Sequence, residues 1–92
     1  MKLGDIYIKK DNKEEIIQID SFATRMGKLA ENSLIIFVKI EKCGNDIVTF
    51  PSFNGYGTME EIESEYDLLI SQEDLDKYNT WDKVFELAES LI

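Results

Sequence analysis

The ionisable side chains of this sequence limit the chemistry that it can perform. The chain contains no histidine and a single cysteine, Cys43. Without histidine there is no Ser-His-Asp or Cys-His nucleophile system, and one cysteine cannot supply a zinc cluster. Cys43 lies in a predicted turn beside Lys42, with no base to activate it, so we interpret it as an incidental thiol. The sequence therefore predicts a protein that is not an enzyme and that has no cofactor and no metal.

A dense run of carboxylates between residues 60 and 67 is the strongest remaining candidate for a functional site. Paired carboxylates can perform acid–base catalysis or bind a divalent cation. No spacing marks out two of these residues from the rest, so a solvated acidic face is favoured over a catalytic pair. A glycine-punctuated loop with two aromatic residues precedes the run, which resembles an apolar hot spot ringed by charge. The predicted partner-binding residues are therefore Phe53, Tyr56, Glu60, Glu61, Glu63, Glu65 and Asp67.

Two known loop motifs can be tested against the sequence, and both are rejected. A calcium-binding EF-hand loop laid over residues 74–85 places Asn79 where glycine is required and Phe85 where the bidentate glutamate belongs. The segment from Gly55 to Gly57 lacks the lysine and the hydroxyl residue of a phosphate-binding P-loop. An alternative role for that loop is a long turn whose aromatic side chains cap the core.

The distribution of charge indicates the kind of partner. The chain holds 19 acidic and 10 basic residues, for a net charge of −9. Residues 1–59 are neutral in sum, and residues 60–92 carry the whole net charge. Such a field repels nucleic acid and anionic membranes and steers association with basic surfaces. Lysines cluster near residues 9–13, but acidic residues interleave with them. We therefore expect a basic protein partner, such as a nuclease or a nucleic-acid-binding protein, without direct nucleic-acid or membrane binding.

The apolar runs, the N-terminal residues and the cysteine content of the sequence favour a cytoplasmic location. The longest apolar run, from Leu34 to Val38, is far shorter than the roughly 18–20 residues of a membrane span. The first residues include no apolar segment of the kind that a signal peptide needs. A single cysteine cannot form an intramolecular disulfide, which fits a reducing compartment. These features predict a soluble cytoplasmic protein, and they leave its oligomeric state open.

The first 70 residues are predicted to be mainly strands. Residues 5–9 are β-branched and aromatic, and residues 15–22 alternate in part. The strongest pattern predicts a central hairpin over residues 33–50, turning at Gly44 and Asn45. Residues 59–66 fit either a helix or a solvated edge strand, and both alternatives remain open. Residues 67–70 predict a last short strand.

Residues 71–92 are predicted to be helical and acidic. Ser71 and Asp74 resemble a capping box for a short helix that ends near residues 78–79. Asn79 or Thr80 can cap a second helix with an apolar stripe, which should cover the sheet. The stripe consists of Trp81, Val84, Phe85, Ala88, Leu91 and Ile92.

These elements predict one domain over residues 1–92 of the α+β class. The expected architecture is a small antiparallel curled sheet or an SH3-like barrel, of four to five strands, with the C-terminal helical segment packed on it.

Three functional hypotheses remain open. The first is an acidic antagonist of a protein with a basic surface, because the chain resembles immunity proteins and phage inhibitors of bacterial defence in its composition. The second is a small-molecule binder, in which the loop around Gly55 and Gly57 and its aromatic rings hold a nucleotide-like ligand. The third is a structural or accessory module of a phage or mobile element. Capture of a basic protein would support the first hypothesis, and a co-purifying small molecule would support the second.

Overall fold

The computed structural model of the protein describes residues 1–11, 15–19, 34–50 and 56–91. Within these residues the chain forms six strands, two α-helices and one 3-10 turn. In chain order they are β1 (Ile6–Lys9), β2 (Ile16–Ile19), β3 (Leu34–Cys43), β4 (Asp46–Phe50), β5 (Tyr56–Thr58), α1 (Met59–Glu65), β6 (Tyr66–Ile70), the 3-10 turn (Gln72–Asp74) and α2 (Trp81–Ser90).

The central hairpin predicted over residues 33–50 is confirmed over its described part. Strand β3 pairs with β4 in a register that runs from Cys43 opposite Asp46 to Lys39 opposite Phe50. Gly44 has a φ of 64°, the left-handed conformation that glycine adopts without steric cost. The glycine therefore closes the turn between the two strands.

The strands form an open antiparallel sheet in the order β4-β3-β2-β1-β6, and β5 pairs with the first residues of β3. The predicted antiparallel sheet is confirmed, whereas the SH3-like barrel is wrong because the described end strands, β4 and β6, do not pair with each other. The sheet has six strands where four to five were predicted, because residues 56–58 pair with β3 instead of forming a loop. A helix covers each face, so the sheet buries apolar surface on both sides without closing.

The two faces of the sheet carry separate hydrophobic clusters. On the face that we call the α2 face, strand residues pack against Val84, Phe85 and Ala88 of α2. On the opposite face, the α1 face, strand residues pack against Ile62 of α1. The α2 face contributes Ile6, Ile8, Ile16, Ile40 and Ile70, and the α1 face contributes Tyr7, Ile17, Ile19, Ile35, Phe37 and Tyr66. Because both faces are buried, β1 and β2 carry apolar residues on both faces rather than in a strict alternation with polar residues.

The segment over residues 59–66, which fits both helix and strand, begins as a helix and ends as a strand. The Thr58 hydroxyl caps α1 by accepting a hydrogen bond from the Glu61 amide at 3.2 Å. The helix ends at Glu65, and the Tyr66 amide donates to the Ile62 carbonyl as the chain enters β6. The predicted strand over residues 67–70 is therefore confirmed, and it begins one residue earlier.

The C-terminal segment contains less helix than its pattern predicts. Ser71 caps only the 3-10 turn, so the short helix predicted to end near residues 78–79 is a single turn. Thr80 caps α2, as one of the two alternatives predicted. Val84, Phe85 and Ala88 are buried as expected, but Leu91 is 49% exposed because α2 ends at Ser90. Ile92 lies outside the described residues. In the described part of the chain, no helix is long and apolar enough to cross a membrane.

A buried carboxylate holds the N-terminal residues against the segment that leads into α2. Asp5 is 5% exposed, and its two oxygens accept hydrogen bonds from the Lys2 amide at 2.9 Å and the Gln72 amide at 2.8 Å. Gly4 has a φ of 90°, and a side chain there would meet Gln72 and Leu75 at 3.4 and 3.5 Å. Gly4 and Asp5 therefore connect the N-terminal residues to Gln72 and Leu75, which are far away in the sequence.

Candidate acidic interface

Helix α1 presents four of the predicted partner-binding carboxylates to solvent. Its one buried residue, Ile62, anchors it on the α1 face of the sheet. Helical geometry then turns the glutamate positions outward, because successive residues are separated by about 100°. The exposed carboxylates are those of Glu60, Glu61, Glu63 and Glu65. We call these four residues the acidic face of α1.

The acidic face of α1 has no counter-charge among the described residues. Seven lysines lie within them. Six of these lysines pair with carboxylates outside α1, and Lys83 donates to the Asn79 side chain. Glu61 and Glu65 are four residues apart on the helix, where two like charges destabilise it by about 0.2–0.5 kcal/mol. Glu65 also lies at the negative end of the helix dipole. Glu60 and Glu61 lie in the first turn, where the helix dipole favours negative charge, so the dipole fails to account only for Glu63 and Glu65.

Asp67 is separated from the acidic face of α1. It lies opposite Ile8 in the ladder between β1 and β6, and paired residues point to the same face of a sheet. Its side chain therefore lies on the α2 face, where it forms an ion pair with the Lys10 ammonium at 3.8 Å. The predicted run of five carboxylates is thus divided by the sheet into a group of four and one paired residue.

The predicted aromatic anchors lie at the limit of the described residues. Phe53 falls outside them, so its role stays a prediction. The backbone of Tyr56 begins β5 opposite Ile36, immediately before α1, and nothing is described of its side chain. The structure adds an apolar residue that sequence reasoning missed, since Leu68 of β6 lies opposite Tyr7 on the α1 face and is 53% exposed.

A carboxylate of α1 affects the pKa of a tyrosine in the core below the helix. Tyr7 is 5% exposed in the cluster under α1. Burial, together with the negative charges of Asp5 and Glu63, raises the pKa of the Tyr7 hydroxyl to about 12. The hydroxyl therefore stays neutral at physiological pH, and the negative potential of this side of the molecule comes from the carboxylates.

A polar cluster around Glu15 lies on the α1 face, and sequence reasoning missed it. The Lys39 ammonium pairs with one Glu15 oxygen at 2.8 Å, and Lys9 approaches the other at 3.7 Å. The Tyr66 hydroxyl donates a hydrogen bond to the same carboxylate. The only sequence signal was Lys39 at the end of the apolar run in β3, two positions after Phe37 and therefore on the same face.

The protonation states of the Glu15 cluster follow from its geometry. Partial burial raises the pKa of Glu15, but hydrogen bonds from Lys39 and Tyr66 and the charge of Lys9 outweigh it, so the pKa is lowered overall. The hydrogen bond to Glu15 raises the pKa of Lys39. Burial and the same carboxylate raise the pKa of Tyr66. The cluster is therefore a matched structural network, and it takes two lysines away from the acidic face of α1.

Other chemical candidates are limited in the described part of the chain. Cys43 is exposed at the end of β3. Over residues 1–11, 15–19, 34–50 and 56–91, no group of three or more acidic or cysteine side chains has a geometry that could hold a metal ion. The clearest surface features of the described residues are therefore the acidic face of α1 and the exposed Leu68 on the same face of the sheet.

Comparison of the chain with protein-family models, with curated proteins and with solved structures finds no match.

Proposed function

We propose that this protein is a non-enzymatic acidic antagonist, which covers the basic surface of a partner protein with the acidic face of α1. The partner class that this chemistry fits is a nuclease or another nucleic-acid-binding protein, whose functional surface is basic. The function is then of the kind performed by immunity proteins and by phage inhibitors of bacterial defence. The observation that carries the proposal is that the acidic face of α1 has no counter-charge among the described residues, whose lysines all contact side chains outside α1.

Charge and apolar contact would have different roles in such a complex. Exposed carboxylates at the rim of an interface steer the encounter and are screened by salt, so they act mainly on the association rate. An apolar side chain that becomes desolvated acts mainly on the dissociation rate. Tyr56 is the anchor that the sequence suggests, and Leu68, which is exposed on the α1 face of the sheet, is a second candidate. Asp67 contributes less than the α1 glutamates, because Lys10 neutralises it.

The proposal is tested with two variants that change the net charge equally. The α1 reversal variant carries Glu61→Lys, Glu63→Lys and Glu65→Lys. The distal reversal variant carries Asp46→Lys, Asp76→Lys and Glu86→Lys, at positions that are also exposed and have no ion pair among the described residues. Any effect of net charge alone appears in both variants, so a difference between them reports the position of the charge.

The measurement is affinity capture from a host lysate with identification by mass spectrometry. We expect a basic protein that the parent and the distal reversal variant retain and that the α1 reversal variant loses. Equal retention by both variants contradicts the proposal, as does a partner without a basic surface. A small molecule that co-purifies in place of a protein would instead support the second hypothesis, in which the protein binds a nucleotide-like ligand.

A further inference from the structure

A pocket of about 280 Å³ opens on the α2 face of the sheet, at the start of α2. It lies between β1, β2 and the segment that connects the 3-10 turn to α2. Ile6 and Val84, each 1% exposed, are its buried apolar residues. This volume lies just below the range of about 300–1,000 Å³ that is typical of sites for drug-sized ligands, which suits one small ring system.

Aromatic and amide side chains line the rest of the pocket. Tyr78 and Trp81 are half-buried in its wall. The Gln18 amide nitrogen donates to the Gly4 carbonyl at 3.2 Å, which leaves the Gln18 oxygen as an acceptor. The Asn79 oxygen accepts from Lys83 at 3.1 Å, which leaves the Asn79 amide nitrogen as a donor. A few polar groups in an apolar and aromatic wall are typical of a site that orients a small planar molecule.

The electrostatics of the pocket favour an uncharged ligand. No ionisable acid or base other than the Tyr78 hydroxyl is among the described residues that line it. Residues 71–92 contain six acidic residues and two lysines, so the surrounding field disfavours a phosphate. The positive end of the α2 dipole meets the pocket at Thr80 and Trp81, and it opposes a cation.

We propose that this pocket binds an uncharged planar heteroaromatic molecule of the size of a free purine base. The ring lies against Tyr78 and Trp81, and its edge exchanges hydrogen bonds with Gln18 and Asn79. The site is on the opposite face of the sheet from α1, so the proposal does not rest on the antagonist function. It also differs from a nucleotide site in the loop around Gly55, because its acidic surroundings disfavour a phosphate.

The sole tryptophan of the chain is in the pocket wall, so intrinsic fluorescence reports its occupancy directly. The probe is adenine, which is uncharged at neutral pH and carries a donor and an acceptor on its edge. We expect a saturable change in Trp81 fluorescence and a rise in melting temperature at saturating adenine. Tyr78→Phe keeps the ring and should bind like the parent, whereas Tyr78→Leu should weaken binding about tenfold or more, as expected for the loss of a base–aromatic stack.

Two further measurements make the test decisive. Adenosine monophosphate carries a phosphate dianion, so we expect it to bind at least about tenfold more weakly than adenine at low salt, with a smaller difference at high salt. If Tyr78→Leu does not fold, Asn79→Leu at an exposed position removes the amide donor while keeping a side chain of similar shape, and it should weaken adenine binding by about two- to tenfold. The proposal is overturned if adenine gives no saturable response, if Tyr78→Leu or a folded Asn79→Leu binds like the parent, or if adenosine monophosphate binds more tightly than adenine.

Discussion

Replacing Glu15 tests whether the polar cluster on the α1 face stabilises the fold. The Tyr66 hydroxyl, on a residue that is 7% exposed, loses its acceptor in Glu15→Leu, which costs about 1–3 kcal/mol. Lys9 and Lys39 are about one-third exposed, so each pair contributes only about 0.2–1 kcal/mol. Together these terms predict a loss of about 1.4–5 kcal/mol in the free energy of unfolding, which urea denaturation at neutral pH measures. Glu15→Gln keeps an oxygen for Tyr66 and should lose less.

The pH dependence of this loss has a definite sign. The folded-state pKa of Glu15 is lowered from 4.5, so its contribution to stability is complete above 4.5 and disappears as the pH falls through the lowered value. The difference between the parent and Glu15→Gln should therefore be constant near neutral pH and should shrink in acid. Glu73→Gln is the control, because its ion pair with Lys2 is exposed and should contribute little. A Glu15→Leu protein as stable as the parent, or a difference that grows in acid, would refute this account.

Three other predictions concern the core, the N-terminal attachment and the interface. Phe85→Ala should lower the free energy of unfolding by about 3–5 kcal/mol in urea denaturation, whereas Leu91→Ala on the same helix should have little effect because Leu91 is 49% exposed; equal effects would contradict the packing of α2. Asp5→Ala leaves the Lys2 and Gln72 amides without their acceptor and should lower the free energy of unfolding by about 2–5 kcal/mol. Asp5→Asn should lower it less, and an unchanged melting temperature for Asp5→Ala would show that the two hydrogen bonds are dispensable. With the captured partner, the α1 reversal variant should associate about tenfold or more slowly at low salt and much less so at high salt, and association that is indifferent to salt would exclude electrostatic steering.

Local sequence patterns were sufficient to predict the elements whose residues are close together in the chain. The hairpin of β3 and β4 follows from an apolar strand, Gly44 and a returning strand, all within 17 residues. The α2 core positions follow from helical spacing after Thr80. Leu91 continues the same spacing, yet it is exposed because the helix ends one residue before it. Periodicity predicts which residues share a face and does not show where the helix stops.

Features that depend on pairing between distant segments could not be predicted from local patterns. Asp67 appears in the sequence as part of the acidic run, and only its register opposite Ile8 moves it to the α2 face. The Glu15 cluster joins strands β1, β3 and β6 to the residue that precedes β2, so no single segment shows it. The C-terminal helix covers one face of the sheet as predicted, but the pattern did not show that α1 covers the second face through Ile62. A one-residue change of register reverses the face of every side chain in a strand, which is why these assignments require the fold.

The two proposed sites are separated by a single strand, and this separation makes them independently testable. Ile6 of β1 lines the pocket, and the next residue, Tyr7, is buried under α1 on the other face. Interiors are closely packed, so ligand binding that shifted β1 would be felt on both faces. If β1 stays fixed, the α1 reversal variant should bind adenine like the parent, and Tyr78→Leu should retain the captured partner. If adenine changes the affinity for the partner, linkage requires the partner to change the affinity for adenine by the same factor. Titrations of each ligand in the presence of the other measure this factor, and a value of one would show that the two faces of the sheet act separately.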